Sequence, residues 1–360
     1  MIQSNSYNKE KSNIENEFHQ DDINIWLKIL KNADDFREKG LINEAEELYN
    51  TACNMLHQKK YVTFIVEDIG NHYSNLINKE NYKELNSELI SEFESICGKD
   101  NLNTIFSLNR IASIYSNKDL NEAASELFLF VIDFKEKNPK NYIELERSLA
   151  KDYISLGIAY VGMAKYKQAR EQFLKATEIN AKDYGKKNSE YAYSYSLLGW
   201  SYTLSGDYEK AQNILEEALE IKEKELGKDH PDLEHYLRYL ALNNRRKGEF
   251  DIAIEIYLRG LKNSKDLYGE NDINLVSYYE DLGWTYGFQG YLLKSEEMYR
   301  KAIAIQKELL GEDHTKTIYN LRNIADIYLK QFKYDEAEEI YIKSLKVYEK
   351  INDKFHQAGI

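Results

Sequence analysis

The sequence predicts an all-α protein built as an α-solenoid, in which antiparallel helix pairs stack one on the next. Three observations predict this fold class. Glycines recur at an interval of 42 residues, apolar residues keep the same interval, and the 360 residues include only 2 prolines, which break helix interiors. The hydrophobic content of 42% is high enough for a folded core and too high for a disordered chain.

The glycine register marks where one helix of each repeat ends. Its members are Gly185, Gly227, Gly269 and Gly311. Glycine adopts the left-handed conformation that terminates many helices, so each is expected to end the second helix of a pair. Within one pair, Gly206 is expected to turn the chain and Asp207 to cap the second helix. Pro231 fits the first turn of the helix that follows.

The apolar register gives each repeat two amphipathic helices, here termed helix A and helix B. Offsets of three and four residues place each set on one helix face. Small residues recur where helices must approach closely, and aromatic residues fill the wider gaps. The register of helix A contains Leu156, Leu198, Leu240, Leu282 and Ile324, and that of helix B contains Ala169, Ala211, Ala253, Ser295 and Ala337. Each repeat is therefore expected to be a pair of roughly 16 and 18 residues plus turns.

Charge and composition argue against several functions. The net charge of −13 argues against general binding to nucleic acid and to anionic membranes. No apolar run approaches the ~20 residues of a membrane helix, and residues 1–22 lack the apolar core of a signal peptide. The two cysteines, Cys53 and Cys97, favour a cytoplasmic location over a secreted disulfide framework.

No catalytic motif is present in the sequence. It lacks the phosphate-binding Gly-x-x-x-x-Gly-Lys-Ser/Thr loop, the zinc-binding His-Glu-x-x-His and the nucleophile Gly-x-Ser-x-Gly. The histidines do not cluster at metal-ligand spacing, and His230 and His314 are interpreted as loop residues. We therefore expect no enzymatic activity, no cofactor and no metal site.

The repeats resemble the tetratricopeptide repeat (TPR), whose usual period of ~34 residues is lengthened here by about one turn in each helix. The loop Leu226–Asp232 (LGKDHPD) and the helix A segments Leu108–Tyr115 and Leu321–Tyr328 are similar to the 42-residue subclass of kinesin light chains. The resemblance implies a right-handed superhelix with the A helices lining a concave groove.

Four regions are expected along the chain. Residues 1–22 form a disordered N-terminal tail, 23–140 divergent TPR-like helical repeats or a separate helical bundle, 141–351 five 42-residue TPR repeats, and 352–360 a C-terminal tail. No amphipathic helix follows the last repeat to cover it, although terminal repeats usually have a polar outer face. A second copy of the chain or another partner is therefore expected to cover the uncapped C-terminal repeat, which allows a homodimer.

The resemblance also indicates which residues line the groove. They are Tyr193, Ser196, Trp200, His235, Arg238, Arg245, Glu280, Trp284, Tyr319 and Arg322. The two tryptophans either pack between repeats or act as aromatic anchors for a ligand. Arginine binds carboxylates in bidentate fashion, so the expected ligand is a peptide with acidic residues and a bulky apolar anchor. Replacing Arg238 and Arg245 by Glu is expected to abolish binding without unfolding the protein.

Two functions are compatible with this sequence. The first is a non-enzymatic, cytoplasmic scaffold or adaptor that recruits a protein or peptide through the groove. The alternative is a peptide-sensing signalling regulator, similar in outline to Rap-type quorum-sensing regulators, whose N-terminal helical region would be the output surface. A regulator of that kind should change shape when its ligand binds, whereas a passive scaffold should not.

Overall fold

The structure is a computed structural model, and it describes residues 66, 69–71, 73–78, 80–97, 102–138 and 143–358. Every regular element in these ranges is helical, so the predicted all-α solenoid fold is confirmed. The predicted tail over 1–22, and residues 23–65 of the divergent region, lie outside the described residues.

From Tyr82 onward, thirteen α-helices and one short 3₁₀ helix, Pro231–Leu233, follow one another in the described ranges. The α-helices are α1 (Tyr82–Cys97), α2 (Leu102–Asn117), α3 (Asn121–Lys137), α4 (Ile143–Gly162), α5 (Tyr166–Tyr184), α6 (Ser189–Ser205), α7 (Tyr208–Leu226), α8 (Glu234–Lys247), α9 (Phe250–Tyr268), α10 (Asn274–Phe288), α11 (Leu292–Leu310), α12 (Thr315–Lys330) and α13 (Tyr334–Ala358). In the repeat region, α4, α6, α8, α10 and α12 are the A helices, and each is followed by its helix B.

The helices form two compact units, Met1–Ala176 and Thr177–Ile360. In unit 1, a buried ion pair joins Lys135 Nζ of α3 to Asp152 Oδ2 of α4 at 2.5 Å. The side-chain amide of Asn109 in α2 donates a hydrogen bond to the other oxygen of Asp152. Burial raises the pKa of Asp152, while Lys135 and Asn109 act in the opposite direction. One carboxylate thus connects three helices of this unit.

The starts of four A helices in unit 2 share one capping device. The side chains of equivalent residues accept a hydrogen bond from the backbone N–H two residues later, over 2.7–3.2 Å. These residues are Asn188, His230, Asp272 and His314, which are spaced by 42. Each cap satisfies a backbone donor that the helix itself leaves unpaired. The histidines at 230 and 314 are therefore structural loop residues, as the sequence predicts.

The turns between helices A and B require a left-handed residue in every repeat. Gly206, Gly248 and Gly290 have φ of 86°, 93° and 84° at this position. The equivalent residues in the flanking repeats are Ala164 and Phe332, with φ of 56° and 63°, where a side chain makes the conformation costly. The prediction for Gly206 is confirmed, but the prediction for Asp207 is wrong. Its side chain makes no capping hydrogen bond and lies 2.9 Å from Lys210 Nζ instead.

Close approach between helices A and B explains the small residues of the register. A Cβ added to Gly199 would lie 2.8 Å from Leu215 Cγ, and one added to Gly283 would lie 3.0 Å from Tyr299. Larger side chains at these two positions would push the helices of a pair apart. Tyrosines fill the wider spaces, and Tyr236, Tyr257 and Tyr278 are fully buried.

The last helix is longer than the register predicts. The helix α13 runs to Ala358 and so includes residues 352–358, which the sequence analysis assigned to a tail. The aliphatic side chains of Ile342 and Leu345 are exposed on its surface. This is the surface on which the sequence predicts a covering partner.

Candidate protein-interaction site

The ten predicted groove residues come from four A helices of unit 2: α6, α8, α10 and α12. We call the surface that carries them the groove face. Three of them are exposed, namely Trp284, Tyr319 and Arg322. Six are half-buried, namely Tyr193, Trp200, His235, Arg238, Arg245 and Glu280. Ser196 is fully buried, and its hydroxyl donates to the carbonyl of Tyr193, so it offers no surface to a ligand.

An aromatic cluster occupies the groove face between α6 and α8. The ring of Trp200 stacks on Tyr239 at a centroid distance of 5.1 Å and an interplanar angle of 11°. The ring of Tyr193 meets His235 edge-on at 5.2 Å. Burial lowers the pKa of His235 to about 4, so its imidazole is neutral at physiological pH. This part of the face is therefore apolar and aromatic rather than charged.

The predicted basic centre is neutralised within the chain. Arg238 donates two hydrogen bonds to Asp281 Oδ2, at 3.2 Å from Nε and 3.1 Å from Nη2. Arg245 Nη1 donates to the other oxygen, Asp281 Oδ1, at 3.2 Å. Arg238 also lies 3.9 Å from a carboxylate oxygen of Glu234. Both guanidinium groups are already engaged with acids of this chain.

This pairing changes what the two arginines mean for ligand binding. Charge reversal at Arg238 and Arg245 would bring two new carboxylates against Asp281, and like charges at this distance repel. The double substitution would therefore destabilise the packing of α8 on α10. A loss of binding in that variant would not identify a ligand contact, contrary to what the sequence analysis expected.

Trp284 belongs to an aromatic ledge that remains open to a ligand. Its indole is 40% exposed and stacks on the ring of Phe288 at 4.0 Å. The guanidinium carbon of Arg245 lies 4.2 Å from the centroid of the indole, within the range of a cation–π contact. The ring of Phe250 approaches Phe288 at 6.2 Å. The other tryptophan, Trp200, packs between repeats, so the two indoles have different environments.

A cleft of about 480 Å³ opens on the groove face between α10 and α12. We call it the α10–α12 cleft. Glu280 and Tyr319, both predicted groove residues, line it together with Lys316. Glu280 Oε1 accepts hydrogen bonds from Asn320 Nδ2 at 2.6 Å and from Gln306 Nε2 at 3.3 Å. The structure thus brings together two of the ten predicted residues around a concave site.

Arg322 remains exposed and makes no ion pair with any residue that the structure describes. The same holds for Arg246 at the end of α8, which is also exposed. Unlike Arg238 and Arg245, these two arginines have guanidinium groups that are open to an acidic ligand.

Sequence reasoning missed several residues that shape this surface. Asp281 lies 43 residues after Arg238 and 36 after Arg245, and both intervals bring it within reach of the preceding helix A. The interval from Arg238 is one period plus one residue, and this spacing is the sequence signal for the pairing. No comparable signal marks Gln306 and Asn320, which are fully buried amides on two different helices.

The described residues contain no group of three or more His, Cys, Asp or Glu side chains that could hold a metal ion. None of the helices in the described ranges is both long and apolar enough to cross a membrane. The groove face carries exposed aromatic rings, the exposed guanidinium group of Arg322 and the oriented carboxylate of Glu280.

Solved structures similar to this chain are helical repeat proteins. A protein described as a kinesin light chain with nearly identical TPR-like repeats, from Podosopora anserina, matches with 19% identity and a TM-score of 0.50, over 58% of this chain and 97% of its own. BtubC (BKLC) from P. vanneervenii matches with 18% identity and a TM-score of 0.51, over 69% of this chain and 92% of its own. The apo form of RapI matches with 15% identity and a TM-score of 0.51, over 91% of this chain and 99% of its own.

Comparison with curated proteins finds no match. The tetratricopeptide repeat family model matches four overlapping segments, residues 150–224, 202–266, 231–306 and 289–350. Together these segments span more than half of the chain, and they contain the caps, turns and close approaches described above. The chain belongs to the tetratricopeptide repeat family.

Proposed function

We propose that this protein is a non-enzymatic scaffold or adaptor that recruits a protein or peptide partner through the groove face. Tetratricopeptide repeats serve as protein-interaction scaffolds, and solenoids of this kind bind partners on an extended face. The observation that carries the proposal is the exposure of Trp284 and Tyr319 on adjacent A helices, at 40% and 53%. Exposed aromatic side chains are typical of binding surfaces, and Tyr319 also lines the α10–α12 cleft.

The proposed partner presents a bulky apolar side chain to the ledge of Trp284 and Phe288. Acidic residues of the partner would meet Arg322 and Arg246, whose guanidinium groups have no ion pair among the described residues. Arg238 and Arg245 support the site indirectly, because they hold Asp281 and fix α8 against α10. Neither nucleic acid nor a membrane surface is proposed as a ligand, given the net charge of −13.

A matched pair of alanine variants tests this function. Trp284→Ala removes the exposed indole of the ledge, and Leu258→Ala removes an exposed apolar side chain from the helix B α9. Quantitative mass spectrometry of affinity-purified complexes should show a loss of roughly tenfold or more for the partner with Trp284→Ala, as expected for an aromatic hot spot. The Leu258 variant should retain the partner. Equal recovery with both variants would contradict the proposed binding face.

A second candidate is a peptide-sensing regulator. The observation that favours it is the extent of the likeness to RapI, which covers 91% of this chain and so includes helices of both units. In this case residues 23–140 would be the output surface. Small-angle scattering of the full chain with and without a bound peptide separates the two candidates, because only a switch should become more compact.

The C-terminal helix and the cellular location complete the proposal. We propose that a second copy of the chain, or another partner, covers the exposed Ile342 and Leu345 of α13. Light scattering should then show a dimer or a partner complex, and a strict monomer with an ordered, soluble C-terminus would exclude this. A cytoplasmic location is proposed because two cysteines are too few for a typical secreted disulfide framework.

A further inference from the structure

We propose that the α10–α12 cleft binds an organic cation: an ammonium or guanidinium group that pairs with Glu280. This inference deepens the proposed function and rests on it in one respect: the cation is taken to belong to a protein or peptide partner. Three features of the cleft carry it: an oriented carboxylate with no ion-pair partner among the described residues, a wall of apolar and aromatic side chains, and room for a side chain.

The carboxylate of Glu280 is held in place by neutral groups. Its Oε1 accepts from the amides of Asn320 and Gln306, and the Asn320 amide also donates to Gln306 Oε1 at 2.9 Å. Asn323 Nδ2 extends this network by a contact of 3.3 Å to Asn320 Oδ1. Because both amide residues are fully buried, the network fixes the direction in which Glu280 points.

Among the described residues, the carboxylate of Glu280 has no counter-ion. No Lys, Arg or His nitrogen of the described residues lies within 4.0 Å of its oxygens, and Oε2 accepts no hydrogen bond from them. Amide donors stabilise a carboxylate without cancelling its charge, so a half-buried anion remains at the wall of the cleft. A cation from outside would supply the missing partner through a charge-assisted hydrogen bond.

The walls of the cleft suit the body of a long cationic side chain. Val276 and Ile273 provide an apolar surface beside Glu280, and Tyr319 and Tyr348 contribute aromatic rings. The methylene groups of lysine or arginine pack on apolar surface while the charged head stays polar, and a nearby aromatic ring adds cation–π attraction. The cleft volume of about 480 Å³ has room for such a group.

Lys316 also lines the cleft, and it makes the inference more specific. Its side chain is exposed and forms no ion pair with a described residue, so its ammonium group adds positive potential to the cleft. A cationic ligand would be repelled by Lys316 and an anionic ligand attracted to it. Neutralising Lys316 should therefore have opposite effects on the two classes of ligand.

The test uses small amide probes and the full chain, with binding followed by ligand-observed nuclear magnetic resonance. The cations are N-acetyl-lysine methylamide, N-acetyl-arginine methylamide and norleucine methylamide, which carries a free α-ammonium group. Their neutral counterparts are N-acetyl-norleucine methylamide and N-acetyl-citrulline methylamide. At least one cation should bind roughly tenfold more tightly than its neutral counterpart, as expected for a charge pair in a partly buried site. The preferred cation distinguishes a lysine side chain, an arginine side chain and a chain terminus.

Variants of the chain test whether the preference for the cation arises in the α10–α12 cleft. Glu280→Gln should remove the preference for the cation, whereas Glu255→Gln, at an exposed position of α9, should retain it. Lys316→Ala should tighten binding of the cation severalfold, and because Lys316 is exposed this variant tests the cleft even if Glu280→Gln fails to fold. Equal binding of charged and neutral probes, or weaker cation binding in Lys316→Ala, would overturn the inference. That failure would leave the Trp284 experiment untouched, so the two proposals fail separately.

Discussion

Two consecutive carboxylates of α10 have opposite environments. Asp281 contacts α8 and is bonded by two guanidinium groups, whereas Glu280 contacts α11 and α12 and is bonded by two neutral amides. Both are partly buried, and burial of an anion is costly unless it is hydrogen-bonded. Only the arginines also cancel the charge. The comparison teaches that an acid on this surface is structural when its charge is balanced within the chain and available to a ligand when it is not.

The largest expected effect on stability comes from removing Asp281, whose charge the two arginines balance. Asp281→Ala leaves Arg238 and Arg245 half-buried without their shared acid, and loss of one member of such a cluster should cost about 3 kcal/mol of unfolding free energy. Glu280→Gln keeps an acceptor for Asn320 and should cost less than about 1 kcal/mol. Denaturant unfolding of both variants checks the difference. Equal losses would mean that the two acids have the same role.

The aromatic cluster between α6 and α8 makes the stability of the protein depend on pH. Burial lowers the pKa of His235 to about 4 from its usual 6.5, because the folded protein favours the neutral imidazole. The resulting stability is present above pH 6.5 and is lost as the pH falls towards 4. His235→Gln removes this titration. Between pH 6.5 and 4.5 the unfolding free energy of the wild type should therefore fall by about 2 kcal/mol more than that of the variant. Parallel pH profiles of unfolding would contradict the assignment.

A smaller effect on stability concerns the helix start that forms one wall of the α10–α12 cleft. The Nδ1 atom of His314 accepts the backbone N–H of Lys316 at the start of α12, where Thr315 and Lys316 line the cleft. His314→Ala should cost about 1 kcal/mol of unfolding free energy. His314→Asp should restore it, because Asp272 performs the same role one period earlier. If the Asp variant is no more stable than the Ala variant, the capping role is wrong.

The smallest effect lies at the other end of α12, away from both carboxylates. Phe332 holds φ of 63° at a position where three repeats have glycine, and its side chain is 76% exposed. Phe332→Gly relieves that strain and should raise the unfolding free energy by about 0.5 kcal/mol, after the entropy that glycine adds to the unfolded chain. Thermal unfolding measures it. A large destabilisation would show that the phenyl ring has a packing role.

The period of the sequence predicts the backbone well, since caps, turns and helix ends are local events. A residue such as Gly206 acts on its own neighbours, so its role can be recognised from spacing alone. The family register also places Trp284 and Tyr319 on one face. The pairing of Arg238 and Arg245 with Asp281 was not predicted, because the partner of a long side chain depends on which groups of the neighbouring helix it can reach. The register fixes a residue's position and leaves open which charge it meets.

The cleft is harder to predict for a related reason. Its lining combines the loop before α10 with residues of four helices, including Tyr348, which lies 75 residues beyond Ile273. The orientation of the Glu280 carboxylate depends on the side-chain amides of Gln306 and Asn320, which look like ordinary polar residues in the sequence. Whether a carboxylate meets an amide or a guanidinium group is decided by three-dimensional packing, which the periodicity does not encode.

The caps at Asn188, His230, Asp272 and His314 have a consequence for how such a chain can change length. Each cap forms its hydrogen bond within three consecutive residues, so the signal that starts helix A is contained in the repeat itself. A gene segment that is duplicated or deleted between two equivalent caps keeps a complete start signal at the junction. Unequal recombination could therefore lengthen or shorten the array by whole units, and the number of binding surfaces could evolve separately from the stability of any one repeat.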